Sequence, residues 1–423
     1  MKYFHSVTLD KETCHGCTNC IKHCPTEAIR VRNGKAKIIK ERCIDCGECI
    51  RVCPYHAKKA VTDSLEMLKD FRYNVAMPAP SLYGQFKRNT DVNSILTAFK
   101  HLGFDDVYEV ARGAEYVTAA TRKLMSEGKD LPRPLISSAC PAVVRLIKVR
   151  YPNLIGNIVD LLSPMEVAAR EARRIAREKT GLSDAEIGIF FITPCPAKMT
   201  AIKSSLSLDA SQVSGAIAVK DIYADLVRII KTNPEVEPLS VATTLGVLWG
   251  KNGGESDAIH RHDCIAVDGI ENVINILNEI EDEKLSEIEF AELCACPGGC
   301  VGGALNVVNS FVCGNRMDNL PVTAAALPAP TAEELAALRW KKGLEYEPII
   351  KFGDSLSEAM AKMEEVDRIY ADLPKLDCGS CGAPSCRALA EDVALGYGKH
   401  NDCIFKMREQ IQQIATKLMD LDR

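Results

Sequence analysis

Cys294-Ala-Cys296-Pro-Gly-Gly-Cys300-Val-Gly-Gly-Ala304 sets two thiols four residues apart among glycines, which are small enough to let a bulky inorganic group approach the backbone. Two thiolates cannot complete a four-thiolate site, so two more Cys must meet them, and Cys140 and Cys195 are the candidates. Each of these thiols follows a strand-like run. Ile288 to Cys294 reads as a strand delivering the quoted loop. Leu135-Ile-Ser-Ser-Ala-Cys140 reads as a strand entering a loop, and Ile187-Gly-Ile-Phe-Phe-Ile192 as a buried strand ending at Thr193-Pro194-Cys195. Helical patterns alternate with these strands. One covers Val143 to Tyr151. Another is opened by the capping box Ser163-Pro164-Met165-Glu166 and runs to about Lys179, and a strand-helix pair covers Cys264 to Glu279. The alternation predicts an α/β fold with parallel or mixed sheets flanked by helices. Ligands of such sheets bind at the carboxyl ends of strands, where loops distant in sequence converge. Taken singly, Cys140 or Cys195 reads equally well as a small buried apolar residue.

The chain has 423 residues, 47% hydrophobic and 26% charged, enough for a substantial core and two to four domains. No apolar run approaches the roughly 20 residues that span a bilayer. Met1 to Asp10 lacks the apolar core of a signal peptide, so a cytoplasmic location is expected, with no membrane contact. A net charge of -5 argues against a nucleic-acid partner. Residues 1–60 nevertheless carry 12 Lys and Arg against 6 Asp and Glu. Two 4Fe-4S clusters, each about -2 with its four thiolates, would offset most of that excess.

The 19 cysteines fall into spaced groups. Cys14-x2-Cys17-x2-Cys20-x3-Cys24-Pro recurs as Cys43-x2-Cys46-x2-Cys49-x3-Cys53-Pro, the two-cluster ferredoxin pattern, in which the fourth Cys of each run crosses to the other cluster. The expected sets are Cys14, Cys17, Cys20 with Cys53, and Cys43, Cys46, Cys49 with Cys24. Ala36 to Ile39 reads as a short hairpin strand between the repeats. After the proline-rich link Pro328-Ala-Pro-Thr331, a helix over 331–342 opens with the capping box Thr331 to Glu334, and another covers Ser355 to Leu373. Cys378-Gly-Ser-Cys381-Gly-Ala-Pro-Ser-Cys386, with Cys403 beyond, suits a further 4Fe-4S site, zinc being the alternative on spacing alone. Apolar residues at 404, 407, 411, 414, 418 and 421 form a coiled-coil seam, or the inner face of an amphipathic helix packed on its own domain. Cys264 and Cys313 are left as small buried residues, and Cys294 as a residue lining the site. Three domains are expected: 1–60, 61–345 and a small helical 346–423.

The three loops are similar to the signature loops of the FeFe hydrogenases, Thr-Ser-Cys-Cys-Pro, Met-Pro-Cys-x-x-Lys and Met-x-Cys-x-Gly-Gly-Cys. Here they read Ser137-Ser-Ala-Cys-Pro141, Thr193-Pro-Cys-Pro-Ala-Lys198 and Cys294-Ala-Cys-Pro-Gly-Gly-Cys300. The resemblance spans essentially residues 1–310. It implies an H-cluster domain of two lobes behind a two-cluster ferredoxin domain of α+β type. It also implies that Cys140, Cys195, Cys296 and Cys300 hold the 4Fe-4S part of an H-cluster. Cys300 would bridge to a di-iron unit bearing CO, cyanide and an amine dithiolate, installed by hydrogenase maturation proteins. H2 is then the substrate. Lys198 would place its ammonium against a cyanide, and Pro78-Ala-Pro-Ser81, after the strand Tyr73 to Met77, would form a loop over the di-iron unit.

Several positions depart from the family pattern. The proton-shuttling Cys is Ala139, the relay serine is Val159, and Glu115 is at best one of the relay glutamates. Met165 replaces a glutamine, and Thr193 and Cys294 replace the methionines flanking the di-iron unit. A positioned acid or base contributes about 10²- to 10⁴-fold. Losing the first relay member therefore points to slow turnover. Ala139 and the Cys378 motif look like the sensory subfamily, whose members often continue into a PAS domain. This sequence stops at Arg423, so a separate redox or signalling partner is expected to read the state, with the 404–421 helix docking it or forming a homodimer. A conventional hydrogenase with another proton path, or a non-catalytic iron-sulfur carrier or scaffold, are the competing readings.

Overall fold

Ile187–Thr193 is buried at all its positions, as a strand covered on both faces must be. It lies inside a four-stranded parallel sheet ordered Asp106–Val107, Tyr73–Pro78, Ile187–Thr193, Gly215–Ala218. Strand periodicity sorts the side chains onto two faces. Val75, Met77, Ile189 and Phe191 meet the small face Ala168, Ala169, Ala172, Ala176 of the helix Pro164–Thr180. Ala76, Phe190 and Ile192 meet Ile95, Leu96 and Phe99 of the helix Val92–His101. Truncating a fully buried Phe such as Phe190 costs about 3–5 kcal/mol. A second sheet, also parallel, is ordered Cys264–Asp268, Phe290–Cys294, Leu135–Ile136. Parallel pairing requires crossovers, and helices such as Ile270–Glu281 supply them.

These sheets belong to one of two compact units in the computed structural model, which describes residues 3–128, 131–233, 235–320 and 331–421. The first unit is Met1–Ser6, Ile44–Gly47 and Ala60–Tyr346. The second is Val7–Cys43, Glu48–Lys59 and Glu347–Arg423, so most of the ferredoxin repeats and the C-terminal segment share it. No described helix is long and apolar enough to cross a membrane.

In the second unit Ile29–Arg32 pairs antiparallel with Lys35–Ile38. The two-residue connection is Asn33-Gly34, both at positive φ, the turn that suits hairpin twist. Leu356–Asp372 is capped by Ser355 and Glu358 and packs on Cys386–Ala394 through Val366, Leu389 and Ala390. The helix Ile404–Leu421 forms as expected. Its seam is open: Ile404, Met407, Ile411, Ile414 and Leu418 are 43% to 59% exposed, so this apolar face is not what packs on its own domain, although Lys406 bonds Asp372 at 3.0 Å.

Several expected details differ. The strand before Cys140 is only Leu135–Ile136, and the following helix starts earlier, at Pro141. Ser163 makes no side-chain cap bond. The Glu166 carboxylate is buried and instead accepts from Ser211 Oγ at 2.6 Å and Gln212 N at 3.1 Å. The 331–342 helix keeps its capping box but ends at Leu338, where Trp340 turns back to donate to the Asp160 and Leu161 carbonyls. Residues 328–330 of the proline-rich link lie outside the described residues.

Candidate functional site

Three loops bring four thiols to one cavity in the first unit. Cys140 and Cys195 each stand immediately before a helix that opens with proline, Pro141–Arg150 and Pro196–Lys203. Proline suits the first helical position because no amide is missed there, and the positive helix end favours a thiolate beside it. Phe290–Cys294 delivers the third loop, in which Gly298 and Gly299 take φ of +80° and +84° and turn the chain between Cys296 and Cys300. The glycines were expected to make room for an inorganic group. Two of them also let neighbouring protein approach. A Cβ on Gly299 would stand 2.5 Å from Asn252 N, and one on Gly303 would collide with the Pro194 carbonyl.

The thiols lie near enough to repel one another as thiolates. Burial first, then the charges of Cys140 and Cys296, push Cys300 up to about 12. Cys195 rises well above an ordinary thiol for the same reasons, burial leading and Cys296, Cys140 and Cys300 following. Such a set stays protonated unless a cation gathers it, which is how a metal cluster binds. The cavity, about 890 Å³ counting its mouth, is also lined by Ala79, Pro80, Ala139, Met165, Lys198 and Cys294. Lys198 Nζ donates to the Ala139 carbonyl at 2.9 Å.

Three candidate residues sit elsewhere. Thr193 does not line the cavity; its hydroxyl donates to the Cys195 carbonyl at 2.9 Å and accepts from the Cys195 amide at 3.1 Å, so it braces that loop. Val159 is packed into a hydrophobic cluster. Glu115 pairs with Arg112 and accepts from the Thr243 amide, and its neighbour Ala114 is the residue at the cavity wall.

Sequence reasoning missed a buried acid pair. Glu255 and Glu292 both line the cavity. Glu292 Oε1 is 4.0 Å from the Cys294 thiol and accepts from the Gly253 amide at 3.0 Å, while Oε2 accepts from the Ser256 amide at 2.8 Å. Glu255 Oε2 accepts from Ser137 Oγ at 2.6 Å, and that oxygen accepts in turn from the Ala139 amide at 3.2 Å. Burial, then the charge of Glu292, raises the proton affinity of Glu255; burial likewise raises Glu292. The one available signal was a charged residue in the middle of an otherwise apolar strand, Phe290-Ala-Glu292-Leu-Cys294.

In the second unit Cys14, Cys17, Cys20 and Cys53 line a cavity of about 330 Å³, with the crossing that the spacing predicts. Cys24, Cys43 and Cys49 pack in the same hydrophobic cluster, and Cys46, on Ile44–Gly47, is buried. Cys381 lies within electrostatic reach of Cys378 and Cys403, and Cys381, Cys386 and Cys403 belong to one hydrophobic cluster. The hairpin between the repeats holds this C-terminal loop. Val31 N donates to the Gly382 carbonyl at 2.8 Å, and Arg32 Nη1 to that of Cys381 at 2.6 Å. Arg30 grips Asp392 through Nε at 2.7 Å and Nη2 at 3.0 Å, with both side chains buried. Part of the basic excess of residues 1–60 therefore serves the C-terminal motif. Cys313 is fully buried, accepting from Gln85 Nε2 at 3.1 Å, and Cys264 is half-buried.

These residues fit iron-sulfur clusters. Two sets of four thiols each line one cavity, and the buried Lys58 beside Cys20 and Cys53 has an Nζ with no hydrogen-bond partner, as expected where an anionic group is its counterpart.

Fold and thiols thus define an iron-sulfur protein with a deep thiol-lined cavity at strand ends. Residues 72–264 and 250–304 match the family described as "Iron only hydrogenase large subunit, C-terminal domain". Residues 6–54 match a 4Fe-4S dicluster domain and residues 373–405 a putative Fe-S cluster family. The chain belongs to the iron-only hydrogenase family. It is 26% identical over 404 residues to the periplasmic [Fe] hydrogenase large subunit of Nitratidesulfovibrio vulgaris, covering 79% of this chain and 91% of that protein. It is 22% identical to iron hydrogenase 1 of Clostridium pasteurianum, over 49% of this chain and 44% of that one. It is 21% identical to "Probable cytosolic Fe-S cluster assembly factor oxy-4" of Caenorhabditis elegans, over 51% of this chain and 58% of that one. Among solved structures, a variant of HydA1 [FeFe]-hydrogenase from Chlamydomonas reinhardtii aligns with a TM-score of 0.49 at 16% identity, covering 67% of this chain and 95% of that one.

Proposed function

We propose that this protein is a sensory-type FeFe hydrogenase of the cytoplasm. It binds H2, interconverts it slowly with protons and electrons, and relays its redox state through three 4Fe-4S clusters to a partner. The observation that carries this reading is one cavity holding four thiols, Lys198, alanine at 139 and a buried acid pair. The H-cluster, when bound by Cys140, Cys195, Cys296 and Cys300, supplies the cleavage of H2 and the path for its electrons. The protein handles the proton. Cys294 keeps its hydrogen because burial, then Glu292, raises its thiol far above the ordinary range. In H2 oxidation it would take a proton from the cavity side as it passes its own to Glu292 Oε1, and in H2 evolution the same two transfers run in reverse. Glu255 and Glu292, too close for both to ionise readily, share a proton, and Ser137 orients Glu255. Lys198, tied to Ala139, holds a positive charge at the cavity wall. The open seam of Ile404–Leu421 is the surface we assign to the partner.

Similarity to an assembly factor favours a second reading, a cluster-carrying scaffold without the di-iron unit. Lys198 and the acid pair have no role in that reading. Ala139→Cys separates slow from ordinary turnover. If the missing thiol limits the rate, the matured variant turns H2 over at least about tenfold faster than the parent, within the range of one added acid-base group. An unchanged rate, followed by H2 evolution from reduced methyl viologen, would identify an enzyme already limited elsewhere.

A further inference from the structure

One charged side chain of the second unit has no part in the chemistry above. Lys58 opens the short strand Lys58–Ala60, is 3% exposed, and its Nζ makes no hydrogen bond. It lines the same small cavity as Cys14, Cys17, Cys20 and Cys53. An ammonium removed from water without a counter-charge is costly, so an anionic group must answer it in the loaded protein. No carboxylate does so among the described residues. The other buried cations of this unit, Arg30 and Arg42, are matched by Asp392 and Glu391. The groups that share its cavity are the thiols Cys14, Cys17, Cys20 and Cys53. Near the C-terminal motif, by contrast, Lys22 is exposed and Arg32 is shared with Asp392. Water and a carboxylate screen those two charges.

We propose that Lys58 makes the cluster held by Cys14, Cys17, Cys20 and Cys53 the electron-storing centre of the relay. Reduction adds one electron and no proton, so the cluster with its thiolates gains one negative charge. A fixed positive charge held out of water beside the thiols stabilises that reduced state more than the oxidised one and raises the potential of this cluster. The inference needs only a ferredoxin-type cluster, so it stands apart from the H2 reading.

Full-length protein with reconstituted clusters, poised with dithionite and mediators and followed by electron paramagnetic resonance at cryogenic temperature, tests it. Lys58→Met keeps the backbone amide that bonds Cys53 and removes only the charge. At a potential where the parent is half reduced, Lys58→Met is expected to lower the reduced-to-oxidised ratio of one cluster about tenfold, equivalent to about 59 mV for one electron. The remaining clusters should keep their midpoints, and Lys58→Arg should keep all of them. An unmoved midpoint in Lys58→Met, or an equal shift in every cluster, would overturn the proposal. Should Lys58→Met lose the iron of one cluster, full iron in Lys58→Arg supports the charge, and loss in both variants overturns it.

Discussion

Matured protein carrying Glu292→Gln is expected to turn H2 over about 10²- to 10⁴-fold more slowly than the parent, with its iron content unchanged. Glu292 is the carboxylate nearest to the Cys294 thiol at the cavity wall, and alanine at 139 removes the alternative thiol. A glutamine has the same shape but cannot accept and release a proton. It keeps one of the two amide contacts at Gly253 and Ser256 and sets its own donor against the other, so a small loss of stability accompanies the kinetic effect. Glu255→Gln is gentler, because an amide oxygen still accepts from Ser137 Oγ. If the two carboxylates form one relay, the double variant is no slower than the slower single one, as groups acting as a unit are not additive. Turnover within about twofold of the parent in both single variants would show that protons leave by another route.

The second large effect concerns assembly of the C-terminal motif. Asp392→Ala is expected to destabilise the second unit by about 3–5 kcal/mol, because it strands Arg30 in a buried site and frees Arg32. Denaturant unfolding followed by circular dichroism measures this, and the visible absorbance of the C-terminal cluster should be lost at lower denaturant than that of the others. Replacing both buried partners, Arg30→Met with Asp392→Leu, should recover much of the loss, since the charge left without its carboxylate is then Arg32, which is partly exposed. A change below about 0.5 kcal/mol in Asp392→Ala would mean that the backbone contact of Val31 with Gly382 suffices to hold the loop.

What could be read from the sequence was what covalent spacing determines. Thiols two or three residues apart are near one another in any fold, so the meeting of Cys14, Cys17 and Cys20 was legible, and the repeat spacing pointed to Cys53 joining them. Strand-then-Cys order placed Cys140, Cys195, Cys296 and Cys300 at strand ends because parallel sheets put their loops there. What depends on distant partners was not legible. Glu255 and Glu292 become a pair only when the turn at Gly253 meets the strand Phe290–Cys294. The Glu166 carboxylate abandoned its capping role for donors some 45 residues on, a choice that local propensity cannot register. The bond from Arg30 to Asp392 spans 362 residues and explains why the repeats and the C-terminal segment share a unit.

If Cys140, Cys195, Cys296 and Cys300 hold an H-cluster, as proposed, that cluster responds to H2. Infrared spectroscopy of the full chain, matured with the di-iron cofactor and examined under H2 and then argon, tests it most directly. CO and cyanide bands that shift under H2 and return under argon are the predicted result. A protein with full 4Fe-4S iron but without those bands, or with bands indifferent to H2, would contradict it.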